Sequence, residues 1–288
     1  MAAKHDLPTI IDPFTGEARV LGTLPSDPRL VAALPIYTGE VLPESELKEF
    51  NDFPKHLEIK DQNGRGACNG FACAASLEGA RFAAGMDHVP LSGWYPYSIL
   101  CNGVDRGSNI LEGYKLCGER GVAPESTVDY GIINPRKLTT AAHDAAKRFR
   151  LEFGASYQSW RQVVSAVMLR ECLNLSVCVG RRFNNLDSEG AAGVDRGQGN
   201  HAVAVQLGLK KSNKYGWMVL MRNSWSTKWG QDGFCWLAEA HIEAGSYFEC
   251  MSAKAVVDDP SDPENPPIAS ALANLPKRTT WIPGSLAC

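Results

Sequence analysis

The sequence lacks any long apolar run and any cluster of basic residues. Its apolar stretches fall well short of the roughly 18 residues that a membrane span requires, and residues 1–8, Met-Ala-Ala-Lys-His-Asp-Leu-Pro, contain no apolar signal core. The 29 Lys and Arg residues are balanced by 32 Asp and Glu residues, for a net charge of -3. Because nucleic acids and anionic membranes attract clustered Lys and Arg, neither is expected as a partner.

Patterns typical of cofactor and metal sites are also missing. Gly64, Gly66 and Gly70 miss the dinucleotide-binding spacing by one residue and open no βαβ unit. The carboxylates are scattered rather than paired as in a metal or glycosidase site. The nine cysteines include no Cys-x-x-Cys pair, and their spacings match no common zinc or redox pattern. We therefore expect no cofactor and no metal, and interpret most cysteines as small buried hydrophobic residues.

Proline-rich segments flank one compact region. Residues 1–52 contain six prolines and little periodicity, and residues 258–267, Asp-Asp-Pro-Ser-Asp-Pro-Glu-Asn-Pro-Pro, are acidic and proline-rich. These features predict an N-terminal arm over residues 1–52, a domain over 53–257, and a spacer with a C-terminal tail over 258–288. A length of 288 residues fits one domain with appendages.

Helical patterns precede strand patterns within the compact region. We predict helices over 72–84, with Cys68 at its N-terminal end and Gly85 as its stop, over 108–121 with Ser108 as N-cap, over 140–150 and over 159–170. Strands are predicted over 176–183, 201–209, 216–222, 233–238 and 253–257. This order is typical of an α+β fold in which a helical half faces a sheet half.

Cys68 is the cysteine whose position favours chemistry. A helix N-terminus stabilises a thiolate, and a nearby imidazolium adds to that effect. The residues before Cys68, Gln-Asn-Gly-Arg-Gly-Ala, contain glycines that permit a tight turn with free main-chain N–H groups. The same segment is equally compatible with an ordinary loop-to-helix junction that contains a buried cysteine.

A histidine and an asparagine near strand ends are candidates to complete such a site. His201 opens one predicted strand, Asn223 ends a later one, and Trp225 follows. An amide oxygen can accept the imidazole N–H and fix its tautomer, and an indole can shield that bond from water. A lone histidine at a strand start is more often structural, so the neighbouring amide and indole are what favour catalysis.

These segments together resemble the papain-like cysteine peptidases. The resemblance rests on Gln62 followed after five residues by Cys68, on Asn200-His201-Ala202, and on residues 222–234, Arg-Asn-Ser-Trp-Ser-Thr-Lys-Trp-Gly-Gln-Asp-Gly-Phe. It covers roughly residues 53–252, about 200 of 288, and residues 105–113 and 121–126 look like the form seen in bacterial and viral members. The implied fold is α+β and papain-like, with the nucleophile helix facing an antiparallel β-sheet or barrel half across a cleft.

The resemblance implies a role for each matched position. Cys68 would be the nucleophile, His201 its base and then the acid, Asn223 the residue that orients the imidazole, and Gln62 an oxyanion donor beside the Cys68 N–H. Gly107 would pair with the substrate backbone, and Asn200 and Ala202 would border the pocket for the side chain one residue upstream of the one at the cleaved bond. The implied substrate-binding residues are Gly66, Gly107, Asn200, Ala202 and Trp225.

Two residues depart from the family pattern. Arg65 stands where a disulfide-forming cysteine is usual, which agrees with a reducing compartment. Asn69 stands where a tryptophan is usual beside the nucleophile, and we expect a cleft that is more open or differently lined. Because the four catalytic positions hold competent residues, the resemblance implies an active peptidase with a protein or peptide substrate.

A non-catalytic role is the alternative, in which the terminal arms bind protein partners and hold the fold in a larger assembly such as a virion. The expected location is accordingly cytoplasmic or within such an assembly. The N-terminal arm also has two interpretations, a propeptide-like segment that occludes Cys68 or an arm that packs on the outside of the domain. We expect the outside path, because proline-broken segments bury little apolar surface per residue.

Overall fold

The computed structural model describes residues 7–245 and 249–255. The spacer and tail predicted over 258–288, and the last two residues of the strand predicted over 253–257, lie outside the described residues. Within the described ranges, no helix is both long enough and apolar enough to cross a membrane.

The described part of the chain contains seven α-helices and nine strands. The helices are α1 (Pro28–Ala32), α2 (Cys68–Ala83), α3 (Trp94–Cys101), α4 (Ile110–Arg120), α5 (Thr140–Ala146), α6 (Trp160–Met168) and α7 (Glu239–Glu243). The strands are β1 (Thr9–Ile11), β2 (Ala18–Val20), β3 (Phe50–Asn51), β4 (Leu151–Ser156), β5 (Cys172–Val177), β6 (His201–Ser212), β7 (Gly216–Arg222), β8 (Phe234–Leu237) and β9 (Cys250–Ala255). Most helical residues precede most strand residues, and the fold is α+β as expected.

Seven of the strands form one antiparallel sheet in the order β4-β9-β5-β6-β7-β8, with β3 beside β6. Among the described residues, the outer strands β4 and β8 do not pair, so the sheet is open rather than a closed barrel. His201 is the first residue of β6, and Ala204 pairs with Arg222 at the end of β7. The start of β6 and the end of β7 therefore meet at one edge of the sheet.

Helix α2 lies between the helical half and the sheet, in contact with α3 and α4 on one side and with β6 and β9 on the other. Gly79 permits this close approach, since a Cβ there would lie 2.0 Å from Oε1 of Gln206. Buried Glu78 of α2 binds Arg222 of β7 at 2.9 Å and Lys60 at 2.7 Å. This ion pair ties the helix that begins at Cys68 to the strand that ends beside Asn223.

The first two predicted helices differ from the observed helices α2 and α4 mainly at their N-terminal ends. Helix α2 begins at Cys68 itself and ends just before Gly85, whose φ of +70° terminates the helix. Helix α4 is capped by Asn109, whose side chain accepts from the Glu112 N–H at 2.8 Å, and not by Ser108 as predicted. The physical reason is that both main-chain polar groups of Ser108 pair with the N-terminal arm.

Other predicted elements are shifted or shortened. The strand predicted over 176–183 is observed as β5, because the N–H groups of Gly180 and Phe183 turn away to bind Asp195, each at 2.8 Å. Helices α5 and α6 end earlier than predicted, at Ala146 and Met168. Helix α3 was not predicted from the sequence. Its proline, Pro96, does not break the helix, because it lies in the first turn, where a missing N–H costs little.

The second part of the N-terminal arm, residues 28–52, packs into the domain. Leu34 is buried in the same apolar cluster as the residues of α2 and α4, and the Leu42 N–H donates to Ser165 Oγ of α6 at 3.0 Å. Strand β3 pairs with β6. The expectation that a proline-broken arm buries little apolar surface is therefore wrong, because main-chain pairing with the domain replaces internal periodicity.

Candidate active site

Cys68, His201 and Asn223 come together where α2 meets the edge of the sheet. The His201 Nε2 and Asn223 Oδ1 atoms are 2.8 Å apart. The Nδ1 atom of His201 is buried, and among the described residues its interaction with the Cys68 thiol is looser than an ordinary hydrogen bond. Because Asn223 engages Nε2, the nitrogen left to exchange a proton with the Cys68 thiol is Nδ1.

The Cys68 thiol is unusually acidic for a buried cysteine. Burial raises its pKa, but the polar and electrostatic interactions with the His201 side chain outweigh that effect, and the pKa falls from 9.0 to about 7. The Ala202 N–H and the Thr23 hydroxyl add to the decrease. Cys172 is also fully buried but has no such partners, and burial raises its pKa to about 12.

Trp225 covers the histidine. Its ring centroid lies 4.5 Å from that of His201, with 30° between the ring planes, and its side chain has no exposed surface. Trp225 also packs edge-on against Trp229, at 5.5 Å between centroids. The indole packs against the imidazole ring and therefore shields the His201–Asn223 hydrogen bond from water.

Gln62 and Asn223 are joined through Ser224, a residue that the sequence interpretation did not single out. The Ser224 hydroxyl donates to Gln62 Oε1 at 2.7 Å, and the Ser224 N–H donates to Asn223 Oδ1 at 2.8 Å. The Gln62 N–H donates to the Ser224 carbonyl at 2.9 Å. The Gln62 amide NH₂ donates to the Arg65 carbonyl at 2.5 Å and to the Val20 carbonyl of the arm at 3.0 Å. The sequence feature that could have identified Ser224 is its position directly after Asn223.

The first part of the N-terminal arm crosses the site. The Thr23 hydroxyl lies 3.1 Å from Cys68 Sγ, and the Thr23 N–H donates to the Asn200 carbonyl at 3.0 Å. The Leu24 N–H donates to the Ser108 carbonyl at 3.1 Å, and the Ser108 N–H donates back to the Gly22 carbonyl at 2.9 Å. The expectation of an outside path is wrong for this part, because its main chain hydrogen bonds with both walls of the cleft.

Three glycines allow the arm to pass this closely. A Cβ on Gly22 would lie 2.0 Å from the Gly66 carbonyl oxygen, and a Cβ on Gly107 would lie 2.2 Å from the Gly22 carbonyl oxygen. Gly107 also has a φ of +71°, which side-chain-bearing residues rarely adopt. Gly66 and Gly107, both expected to contact substrate, thus contact the arm, with Gly22 wedged between them.

Asn200 and Ala202, the other expected substrate-binding residues, flank His201 through their main chains. The Asn200 side chain turns away from the arm and bridges the main-chain N–H and carbonyl of Val179 at 2.9 and 3.0 Å. Its carbonyl accepts from Thr23, and the Ala202 N–H interacts with Cys68. At Asn200, therefore, the main chain rather than the side chain meets the arm.

Asn69 does not open the cleft. Its side chain is fully buried and donates to Ser108 Oγ at 3.1 Å and to the Asn109 carbonyl at 2.6 Å. It thereby binds the start of α2 to the segment that pairs with the arm. Of the two expected outcomes, the structure shows a differently lined cleft rather than a more open one, because the polar Asn69 side chain fills the space beside Cys68.

Two curated relatives share about a quarter of their residues with this chain. Cathepsin B-like CP2 of Giardia intestinalis is 26% identical over 190 residues, which is 62% of this chain and 62% of that protein. Cysteine proteinase RD21A of Arabidopsis thaliana is 27% identical over 249 residues, which is 77% of this chain and 48% of that protein. The chain thus spans less than two thirds of the length of either relative.

Solved structures share the fold at lower sequence identity. Xylellain, a cysteine protease from Xylella fastidiosa, superimposes with a TM-score of 0.65 and 18% identity over 82% of this chain and 96% of that chain. Procathepsin B S9 from Trypanosoma congolense gives a TM-score of 0.57 and 17% identity over 82% and 86%. At these identities, the likeness establishes the papain-like fold.

The family is established by a direct match. Residues 51–256 match the family model described as papain family cysteine protease. This range contains Gln62, Cys68, His201 and Asn223, and it makes up well over half of the chain. The chain belongs to the papain family of cysteine proteases.

Proposed function

We propose that this protein is a cysteine peptidase that hydrolyses peptide bonds in protein or peptide substrates through a thioester on Cys68. The observation that carries the proposal is the lowered pKa of the Cys68 thiol, about 7, beside an imidazole that Asn223 holds at 2.8 Å. A thiol of this pKa is substantially ionised near neutral pH, and the thiolate is the nucleophilic form.

In the first step, Nδ1 of His201 takes the thiol proton, and the thiolate attacks the carbonyl carbon of the bond to be cleaved. The carbonyl oxygen then carries the negative charge. The Gln62 amide NH₂ and the main-chain N–H of Cys68 donate to that oxygen. The Cys68 N–H is suited to this role because it lies in the first turn of α2, where N–H groups have no acceptor within the helix.

In the second step, the carbon–nitrogen bond breaks, and His201 gives its proton to the leaving amine. The acyl group remains on Cys68 as a thioester. His201 then takes a proton from water, the resulting hydroxide attacks the thioester, and the acid product leaves as the thiolate is restored. Asn223 keeps the imidazole in the required tautomer and orientation through both steps.

We also propose that residues 7–27, the hairpin segment, hold the resting enzyme inactive. The Val20 carbonyl accepts from Gln62, and the Thr23 hydroxyl contacts Cys68. Both the nucleophile and the oxyanion donor are therefore engaged by the arm. The arm group that contacts the sulfur through a hydrogen bond is the Thr23 hydroxyl, which is not a group that Cys68 can cleave.

The rest of the arm supports a tethered form of inhibition. Residues 28–52 pack through Leu34, Leu42 and β3, so they remain part of the domain when the hairpin segment moves. Activation then requires displacement or cleavage of residues 7–27 alone. The expected propeptide-like character is assigned to this segment and the expected packing character to residues 28–52.

The alternative, a non-catalytic module held in an assembly such as a virion, is not favoured. A purely structural module gains nothing from an acidified thiol or from a histidine–asparagine pair shielded by Trp225. The two functions differ in a simple observation, since only a peptidase loses peptide cleavage when Cys68 is replaced by alanine.

The test is labelling with an epoxide or vinyl-sulfone thiol trap near neutral pH, followed by mass mapping of the modified cysteine. The full chain is compared with Gly22→Leu, in which the new side chain cannot fit against Gly66. We expect slow labelling of Cys68 in the full chain, fast labelling in the variant, and no peptide cleavage in Cys68→Ala. Cleavage that persists in Cys68→Ala would overturn the proposed mechanism.

A further inference from the structure

Asp105 lies beside the cleft and has no part in the proposed mechanism. It belongs to the loop between α3 and α4, three residues before Ser108, whose main chain pairs with the arm. Its Oδ1 atom accepts from the Gly66 N–H at 3.0 Å. Gly66 lies two residues before Cys68. One carboxylate therefore joins the segment that leads into the nucleophile helix to the segment that forms one wall of the cleft.

Tyr97 of α3 completes this contact. Its hydroxyl donates to Asp105 Oδ1 and accepts from the Gly107 N–H at 3.3 Å. The Tyr97 side chain is fully buried, and burial together with the nearby carboxylate raises the pKa of its hydroxyl. The hydroxyl thus stays protonated and is the donor. Asp105, Tyr97 and the N–H groups of Gly66 and Gly107 form the carboxylate clasp.

The clasp leaves no space for a side chain at Gly66. A Cβ there would lie 3.2 Å from Asp105 Oδ1 and 3.2 Å from the Tyr97 hydroxyl oxygen, which is tighter than most contacts of a real Cβ. The two segments are therefore in direct contact through the clasp, and their separation depends on it.

The wall that the clasp holds is the part of the cleft that pairs with a main chain. The Ser108 N–H donates to the Gly22 carbonyl at 2.9 Å, and the Ser108 carbonyl accepts from the Leu24 N–H at 3.1 Å. The Gly107 N–H is already bound by Tyr97. A peptide that replaces the arm would therefore pair with the main-chain groups of Ser108.

Arg65 adds a weaker contact to the same carboxylate. Its guanidinium lies 3.7 Å from Asp105 Oδ2, and its side chain is 48% exposed. Because exposed ion pairs contribute little, the main partners of the carboxylate are the Gly66 N–H and the Tyr97 hydroxyl. Arg65 stands where the family usually has a disulfide-forming cysteine, so this chain holds the segment with polar contacts instead of a covalent bond.

We propose that Asp105 is a positioning residue of the peptidase reaction and sets the separation between Cys68 and a substrate main chain bound at Ser108. This inference rests on the proposed peptidase function. Loss of the clasp would leave the buried N–H groups of Gly66 and Gly107 without acceptors, and the wall would shift. A misplacement of about 1 Å can lower the rate on the order of 10²-fold, whereas the pKa of the thiol would not change.

The experiment compares two thiol reagents on full-length protein carrying Gly22→Leu. Iodoacetamide reacts with the Cys68 thiolate without main-chain pairing, whereas a peptidyl vinyl sulfone must first pair with the wall. In Asp105→Ala, we expect labelling by iodoacetamide to stay within about twofold and labelling by the peptidyl reagent to slow by at least about tenfold. Equal losses with both reagents, or no loss with either, would overturn the inference.

Steady-state cleavage of a peptide gives a second readout of the same variant. We expect kcat to fall by at least about tenfold and KM to stay within about threefold, because Ser108 still binds the substrate while the reacting atoms are misaligned. The pH inflection of iodoacetamide labelling should not move. A rise in KM alone, or a moved inflection, would contradict a positioning role.

Two conservative variants separate positioning from stability. Asp105→Asn keeps an oxygen that can accept from Gly66 and Tyr97, so labelling by the peptidyl reagent should return to within about threefold of the unsubstituted rate. Tyr97→Phe keeps the ring and removes the hydroxyl, so only labelling by the peptidyl reagent should slow. Tyr97→Phe decides the matter if Asp105→Ala does not fold.

Asp187 provides a matched control because it forms a similar contact beside the turn between β6 and β7. Its Oδ2 atom accepts from the Tyr215 hydroxyl at 2.7 Å, and its Oδ1 atom accepts from the N–H groups of Glu189 and Ala191 at 2.9 and 3.1 Å. Asp187→Ala should leave the ratio of the two labelling rates unchanged. An equal change of this ratio in both alanine variants would overturn the assignment to Asp105. Absence of Cys68 labelling by both reagents in Gly22→Leu itself would instead reject the peptidase function on which the inference rests.

Discussion

The hydroxyl of Thr23 lies 3.1 Å from the sulfur of Cys68. A residue 45 positions earlier in the chain therefore lies against the proposed nucleophile, and its hydroxyl helps to lower the pKa of the thiol. In our proposal, the Cys68 thiol has a lowered pKa already while the arm covers it. Displacement of the arm is the only change that the proposed activation requires.

Gly22→Leu should open the cleft. The Gly66 carbonyl oxygen would lie 2.0 Å from the new Cβ, so the arm cannot remain between Gly66 and Gly107. We expect labelling of Cys68 to accelerate by at least about tenfold, measured with the thiol trap at fixed pH. Gly16→Asn is the matched control, since Gly16 has open space around it and asparagine tolerates its φ of +73°. Equal labelling of the two variants would contradict a wedge at Gly22.

Arg19→Met should release the hairpin by a different route. The buried Arg19 side chain binds Asp12 at 2.9 Å, Asp61 at 3.2 Å and the Trp225 carbonyl at 3.1 Å. Removal of one partner from a buried ion pair leaves the other charge uncompensated, at a cost of roughly 3–5 kcal/mol. We expect faster Cys68 labelling at an almost unchanged melting temperature of the domain.

The control for that experiment is Arg29→Met. Arg29 also pairs with an aspartate, Asp27, at 2.7 Å, but its side chain is 82% exposed. Exposed pairs contribute little to stability, so labelling should not change. A common effect of both substitutions would mean that loss of charge, rather than loss of the buried anchor, displaces the hairpin.

The helix that carries Cys68 and the strands that carry His201 and Asn223 were predictable because their signals are local. An alanine-rich run ends at Gly85, and strand residues alternate or run apolar between turns. The pairing of His201 with Asn223 follows from antiparallel register, which brings the start of β6 and the end of β7 to one edge. A contact between residues far apart in the sequence could therefore be predicted where the ends of two neighbouring strands were identified.

The path of the arm was not predictable from such signals. Its hold on the cleft comes from main-chain hydrogen bonds at Gly22, Thr23 and Leu24, and main-chain donors are the same for every sequence. The buried ion pair of Arg19 and the hydrogen bond of Ser26 to Glu249 also join residues far apart in the chain. The number of prolines in the arm predicts neither its main-chain hydrogen bonds nor these long-range side-chain contacts.

The pH dependence of labelling should report the Cys68 thiol. In Gly22→Leu, the rate should be low when the thiol is protonated and rise through an inflection near pH 7, which is the pKa that His201 sets. His201→Ala removes the hydrogen bond and the charge that lower this pKa, while burial still raises it. The inflection should then move to higher pH, and an unchanged inflection would show that His201 does not control the thiol.

Gln62→Ala should lower kcat on the order of 10²-fold with little change in KM, as expected for one lost oxyanion donor. Ser224→Ala removes the 2.7 Å hydrogen bond that orients the Gln62 side chain, so kcat should fall by about tenfold. Thr227→Ala, on the exposed turn that follows, is the control. Steady-state kinetics on the Gly22→Leu background separate the two constants, and a rise in KM alone would make Gln62 a binding residue.

Glu249 should make closure of the hairpin segment depend on pH. With the arm in place, burial raises the pKa of Glu249 from 4.5 to about 7, although the hydroxyl and N–H of Ser26 and the N–H of Leu111 partly counteract it. Loss of the arm exposes the carboxylate and returns its pKa towards the ordinary value. The closed state therefore binds a proton more tightly than the open state, so closure is favoured at low pH and weakens as pH rises through 7.

The measurement is the labelling rate of the full chain divided by that of Gly22→Leu at each pH, because titration of Cys68 largely cancels in this ratio. We expect the ratio to rise on the order of tenfold between pH 5 and pH 7.5. Glu249→Gln cannot ionise, so its ratio should stay low and nearly flat across the same range, as if the arm were held at acidic pH. A ratio that falls as pH rises, or a slope that Glu249→Gln leaves intact, would show that another group controls closure.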